Sequence, residues 1–356
     1  FAFFVFWLME EGKLREMMEW SKRQGEMVSG GGRIVSLWKD YNEEDLPHFL
    51  KINHRCAPTF IRWAKERGDN EEKRKVREGV TGSWNRHIFA GGWTYSDHLS
   101  GEDVFNVVTN TLFIDIRIPK FSTKMFSHHK NFDTFSLEEL RLFGRRHAFG
   151  GFGAIDMNNP KGPGEGVCTR HHWIDWNFVG KMRPRPNQWR IELNDDRSKW
   201  KEWSIVRDSF DQHLYMEMWV KMHNSNGRKI AMFREVDEKN GKKRPAILVV
   251  SGNYFNYLED RDVDLESAGD SGSLIELIDK AATQKDRTTL LSYLSLTAHH
   301  GQIDPTPSPS PSSFPLSSLP LPWMIHRSLH PWKERKQLFQ KGEIQVINGG
   351  VREGEG

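Results

Sequence analysis

Eight residues on three short segments have the types and spacing to hold a polar ligand or to move a proton. Asp115 and Arg117 lie two apart in Phe113-Ile114-Asp115-Ile116-Arg117-Ile118. His171, Trp173 and Asp175 follow the same spacing, and so do Tyr215, Glu217 and Trp219. Residues at i, i+2 and i+4 of a strand share one face, so each set presents its side chains together. Such a face suits a small amphipathic or anionic ligand, with aromatic walls and the bidentate fork of Arg117 as the anion partner. Asp175, Glu217 and His171 could instead serve as acid and base groups. No residue is fixed as a nucleophile, so no catalytic residue is assigned and the non-catalytic reading leads.

Other constellations carry less. His128-His129, His171-His172 and His299-His300 are double histidines. Neighbours on a strand point to opposite faces, so such a pair does not easily chelate one metal. His171 and Asp175 with Glu217 across a sheet would make a ligand set, but a hydrogen-bonded polar cluster is the plainer reading, and no metal is expected. Gly269-Asp270-Ser271-Gly272-Ser273 and Thr297-Ala298-His299 offer a serine and a histidine with no evident acid partner. Gly150-Gly151-Phe152-Gly153 does not open a helix after a buried strand, so it is no dinucleotide site, and no cofactor is expected. Glycines in such a strand mark a bulge or a sharp bend.

The elements that must position these residues read as strands. Leu112, Ile114, Ile116 and Ile118 alternate with Phe113, Asp115 and Arg117 up to Pro119. Trp189–Leu193 and Leu214–Met222 alternate in the same way, and Ala246–Tyr257 is an apolar run containing Gly252. Turn chemistry at Asn194–Asp196, Asn224–Gly227 and Lys239–Gly241 separates short strands, as in an antiparallel sandwich or barrel. Helices are expected after the capping box Ser136-x-x-Glu139 and over Ser273–Thr283. Four regions follow: an accessory, partly helical segment 1–88; a first barrel 89–222; a second barrel half 223–342; and a flexible tail 343–356. The accessory segment holds the apolar run Phe1–Met9, too short for a signal peptide and expected to start a helix through Lys13, Met17 and Trp20. It also holds some helical spacing over Glu43–Trp63 and a solvated run, Lys65–Glu78, with eleven charges. Seven prolines and six serines between Pro305 and Pro322 make 304–322 a disordered insertion.

Composition sets the limits. The chain has 356 residues, 37% hydrophobic and 28% charged, with a net charge of +3. The near balance gives no support for a nucleic-acid surface. The longest apolar run is nine residues, against the roughly 20 of a spanning helix, so no membrane span is expected. Two cysteines, Cys56 and Cys168, make no disulfide framework, which favours a reducing, intracellular compartment such as the cytoplasm.

An ordered set of motifs carries a resemblance. It runs Phe113-Ile114-Asp115-Ile116-Arg117-Ile118-Pro119, His147-Ala148-Phe149-Gly150-Gly151, Cys168-Thr169-Arg170-His171-His172-Trp173-Ile174-Asp175, Trp189-x-x-Glu192, Trp200-Lys201-Glu202-Trp203 and Tyr215-Met216-Glu217-Met218-Trp219. Ile247–Tyr257 and Leu290–Thr297 continue it. The chain resembles the Hri-type lipocalin-like proteins, a family that includes a fungal protein interacting with a casein kinase, over roughly Phe89–Phe339. The resemblance implies a mainly β protein of antiparallel lipocalin-like (calycin-type) barrels, in two related halves, with no established catalytic activity. It also implies a kinase as a protein partner, and hence a scaffold with filled barrels as the alternative to ligand binding. Segment 1–88 and the Ser/Pro tract have no counterpart in the pattern, and Phe121–Phe135 is a longer loop than it expects.

One choice stays open. If the aliphatic face points inward, the barrel is filled and the polar face is solvated or covered. If the polar face points inward, Arg117 must meet Asp175 or Glu217, because an unpaired buried charge is too costly.

Overall fold

A computed structural model describes residues 5–6, 76, 78–91, 94–97, 101–109, 112–156, 166–179, 187–205, 215–227, 229–234, 245–261, 274–303, 323–339, 345–347 and 350–352. The expected helix at Lys13–Trp20, the Glu43–Trp63 spacing, most of the charged run 65–78, Ser271 and the Ser/Pro tract lie outside the described residues. Val5–Phe6 is not helical but the short strand β1, and it pairs with a hairpin from the tail expected to be flexible.

The chain is mainly β. Strands β2 (Gly82–Gly91), β3 (Thr94–Asp97), β4 (Glu102–Val108), β5 (Leu112–Pro119), β6 (His147–Asp156), β7 (Gly166–Asp175), β8 (Asn187–Leu193), β9 (Lys199–Ser204) and β10 (Tyr215–Lys221) form one antiparallel sheet. Strand β10 pairs back onto β2, which closes eight strands into a barrel of lipocalin-like form, with β3 as a hairpin on β2. The barrel therefore begins at Gly82, upstream of the boundary at 89, and Val76 and Val80 already belong to its core. Helices α1 (Lys120–Phe126) and α2 (Leu137–Phe143) interrupt the meander between β5 and β6. The capping box of α2 forms as expected: Glu139 N–H donates to Ser136 Oγ at 3.2 Å, and Ser136 N–H donates to Glu139 Oε2 at 2.7 Å.

Where a second barrel half is expected, the described residues form a five-stranded antiparallel meander. Its strands are β11 (Lys229–Arg234), β12 (Ala246–Ser251), β13 (Tyr254–Glu259), β14 (Thr297–Ile303) and β15 (Trp323–Ser328). Helices α3 (Leu274–Thr283) and α4 (Arg287–Tyr293) lie between β13 and β14. The tail supplies β16 (Gln345–Ile347) and β17 (Gly350–Arg352). No helix among the described residues is long and apolar enough to cross a membrane.

The sheet packs on the outer face of the barrel, and this decides which face of β5 points in. Ile114, Ile116 and Ile118 share one cluster with Ile247, Val249 and Leu258 of the second sheet and with Leu140 and Phe143 of α2. Phe113 belongs to a separate cluster, with Trp84, Trp189, Trp200 and Trp219 inside the barrel. Both faces of β5 are thus buried, and the polar row faces the lumen. A polar tie fixes the two layers: Asn256 Nδ2 donates to the carbonyls of Phe105 and Ile114 at 3.1 and 2.9 Å, and its Oδ1 lies 2.8 Å from His300 Nδ1. Beside it, His300 stacks on Phe105 with ring centres 3.9 Å apart.

The glycines of β6 mark a bulge. Gly150 pairs with Ile174 and Gly151 with His172, so Trp173 is an extra residue on β7. A Cβ on Gly151 would sit 2.1 Å from the His171 carbonyl oxygen and 2.7 Å from Trp173 N. Backbone on both sides cannot move without breaking the β6–β7 ladder. Gly151→Ala is therefore expected to cost about 1–3 kcal/mol in urea unfolding; an unchanged midpoint would show that the bulge yields freely.

Candidate functional site: the barrel interior

Inward-facing positions of β2, β4, β5, β9 and β10 bring charged residues together at one level of the lumen. Glu217 Oε1 on β10 accepts from Arg86 Nη1 on β2 at 2.7 Å and from Arg117 Nη1 on β5 at 3.3 Å. Arg86 Nη2 donates onward to Glu102 Oε2 at 2.7 Å, and Arg117 Nε donates to Asp115 Oδ1 at 2.9 Å. Arg170 Nη1 lies 3.9 Å from Asp115 Oδ2. The Glu217, Asp115 and Arg86 side chains are 2, 1 and 4% exposed, whereas Arg117 and Glu102 reach 21 and 32%. The network is sealed at its centre and approaches solvent at the Arg117–Glu102 end.

The charges set one another. Burial works to lower the Arg117 guanidinium, but Asp115 and Glu217 outweigh it and hold it well above its ordinary value. Burial works to raise Glu217, but Arg117 and Arg86 outweigh it and hold Glu217 below the usual carboxylate range. Glu202 sits directly across from Glu217 on β9. Burial, then the Glu217 charge and a hydrogen bond to Glu217, push Glu202 well above the usual range. Both guanidinium contacts go to Oε1, and Oε2 accepts from neither. A protonated Glu202 can donate to Glu217 across the ladder, and two buried carboxylates facing each other cannot both stay ionised.

Below this level the lumen is aromatic. Trp84 and Trp200 are in contact with ring centres 4.4 Å apart, and Trp200 and Trp219 at 5.7 Å. Trp84 Nε1 donates to the Val80 carbonyl at 2.9 Å, and Lys221 lies over the Trp84 ring at 5.0 Å. Arg170 lies over Phe113 at 4.2 Å and over Trp189 at 4.9 Å. A cavity of about 30 Å³ remains among Phe113, Cys168, Arg170, Trp189, Ile191 and Trp200, with further apolar residues around it. The indole N–H groups of Trp189 and Trp200 have no hydrogen-bond partner. Burial pushes Cys168 up to about 12, so this thiol is no nucleophile.

Of the eight residues singled out in the sequence, Asp115, Arg117, Asp175, Tyr215, Glu217 and Trp219 reach the interior. Tyr215 packs against Phe89 with ring centres 6.2 Å apart, and burial, with Glu202 and Glu217 beside it, pushes its hydroxyl well above its ordinary value. The bulge at Trp173 breaks the parity of β7, so His171 and Trp173 do not join them. His171 pairs with Phe152, out of step with Arg170 and His172, and Trp173 packs into the cluster between barrel and second sheet. His172 takes the inward place: its Nδ1 is 2.5 Å from Asp175 Oδ2, and its ring stacks on Phe149. Burial works to raise Asp175, but His147 and His172 outweigh it and hold it well below the usual range. His147 Nε2 stays 3.7 Å from Asp175, beyond hydrogen-bond reach. Asp175 is thus held by histidines and Glu217 by arginines, so Asp175, Glu217 and His171 do not form one acid/base set. The fork of Arg117 is likewise already taken by Asp115 and Glu217.

Sequence reasoning missed Arg86, Glu102, Arg170, Glu202 and His172. The alternation in Trp200-Lys201-Glu202-Trp203 was a usable signal for Glu202, and parity along β7 without its bulge places Arg170 with His172. Arg86 fell upstream of the assumed barrel boundary.

Glu202 gives a pH test. Its folded value is raised, so the native chain keeps a proton that the unfolded chain has lost once pH exceeds about 4.3. Stability from this residue is full below that point and falls as pH rises through the folded value. Glu202→Gln mimics the protonated form. In urea unfolding it is expected to match the parent near about pH 4 and to exceed it near about pH 8. Equal destabilisation at both values would mean that Glu202 is ionised in the folded barrel.

No protein-family model matches this chain, and no curated protein or solved structure does so either.

Proposed function

We propose that this chain is a non-catalytic, lipocalin-like binding protein that takes a small amphipathic or anionic ligand inside its barrel. The observation that carries the reading is the cavity beside Arg170, where two buried indole donors, on Trp189 and Trp200, lack acceptors. A buried donor left unmade costs about 1–3 kcal/mol, so a molecule offering acceptor oxygens gains from both. The aromatic rings suit an apolar body, and Arg170 adds positive charge next to Phe113 and Trp189. The resemblance to the Hri-type lipocalin-like proteins supports the same reading.

A second reading rests on volume. About 30 Å³ holds a water molecule or two, whereas ligand pockets commonly run to about 300–1,000 Å³. A larger ligand must displace side chains. A barrel filled by its own residues fits an interaction scaffold, with a kinase as the partner that the resemblance suggests.

Native mass spectrometry of the full chain separates the two. The ligand reading expects a mass excess that vanishes on denaturation. Trp200→Phe, which keeps an aromatic side chain and removes the N–H donor, should lower occupancy about three- to tenfold. Equal native and denatured masses would overturn the ligand reading in favour of the filled scaffold.

A further inference from the structure

The double histidine His128-His129 lies not on a strand but in the turn that follows α1, so the opposite-face argument does not apply to it. Here the chain folds back onto the start of α2. Nitrogen atoms of His128 and His129 and a carboxylate oxygen of Glu139 come within 4.8 Å of one another. We propose that His128, His129 and Glu139 form a binding site for a divalent transition-metal ion of the zinc class.

The geometry of the pair His129–Glu139 supports this. His129 Nε2 and Glu139 Oε1 are 3.2 Å apart. Two ligands about 2.0–2.1 Å from a tetrahedral zinc ion lie roughly 3.3 Å from each other. This pair already has the bite of the metal and needs little movement to receive it. His128 is exposed and its ring lies against His129, with centres 3.9 Å apart. Rotation of an exposed side chain brings the third ligand in.

Both inner ligands are oriented from behind. His129 Nδ1 lies 2.7 Å from Thr134 Oγ1, and its ring packs on Phe135 with centres 3.9 Å apart. The second oxygen of Glu139, Oε2, is fixed by the Ser136 backbone N–H at 2.7 Å. Metal-bound histidines commonly use their other nitrogen in this way. A threonine hydroxyl can donate or accept. Without metal it donates to Nδ1 while Nε2–H faces Glu139. With metal Nε2 becomes the ligand, the single ring proton sits on Nδ1, and Nδ1–H donates to Thr134, a change of tautomer with no net loss of a proton. One second partner thus serves both tautomers. Two imidazoles and one carboxylate leave the fourth tetrahedral position to water, as in open zinc sites. Among the described residues this is the one cluster of three metal-ligating side chains.

The test uses the full chain stripped with a chelator, then titrated with zinc by calorimetry and with cobalt by visible absorption. One equivalent should bind, and the cobalt form should show tetrahedral bands. His128→Ala, at an exposed position, should keep the fold and weaken zinc binding tenfold or more. Glu139→Gln retains the capping box and should weaken it similarly. Thr134→Val should weaken it by about 10–100-fold through loss of orientation alone. Absence of a one-to-one site, or zinc affinity unchanged in both His128→Ala and Glu139→Gln, would overturn the proposal.

Discussion

Glu217 accepts two guanidinium groups on one oxygen in a place where water does not reach. A bare carboxylate there would cost several kcal/mol. Arg86 comes from β2 and Glu217 from β10, the two strands whose pairing closes the barrel. Closure and charge pairing therefore depend on each other. Arg117 extends the network to β5, and a Glu202 held in its protonated form adds a donor beside Glu217. Replacing such a network with apolar residues of similar volume is often neutral or stabilising. Its presence at the centre of a lumen is thus weak evidence for stability and better evidence for a lumen that must stay polar on one level.

The second sheet makes that inversion possible. An aliphatic row on the outside of a barrel needs a cover, and Ile247, Val249 and Leu258 provide it over Ile114, Ile116 and Ile118. Asn256 then sets the position of the cover by donating to the barrel carbonyls of Phe105 and Ile114. The fold is a closed barrel whose outer side is completed by a sheet and helices rather than by solvent.

Much of this was legible in the sequence. Period two at Leu112–Pro119, at Trp189–Leu193 and at Leu214–Met222 identified strands that form, the last over Tyr215–Lys221, and Ser136-x-x-Glu139 identified the start of α2. The requirement that an inward Arg117 find Asp175 or Glu217 is met by Glu217, helped by Asp115. What alternation could not tell was which row faces in, because β5 is buried on both sides. Nor could it locate a bulge: one extra residue at Trp173 exchanges His171 for His172 at the inner face. Arg86 was hidden for a different reason, since its strand starts seven residues before the position where the sequence is read as turning strand-like, Gly82 against 89. The His128–Glu139 cluster was hidden because a helix turn, not a strand, carries the two histidines.

The central claim is that Arg117 and Glu217 meet inside the barrel and stabilise each other there. A double-mutant cycle with Arg117→Met and Glu217→Gln, read by urea unfolding of the full chain, tests it most directly. The interior network predicts a coupling energy of about 1–3 kcal/mol between the two positions. Effects that add to within about 0.5 kcal/mol would contradict it and return the polar row of β5 to the outside of the barrel.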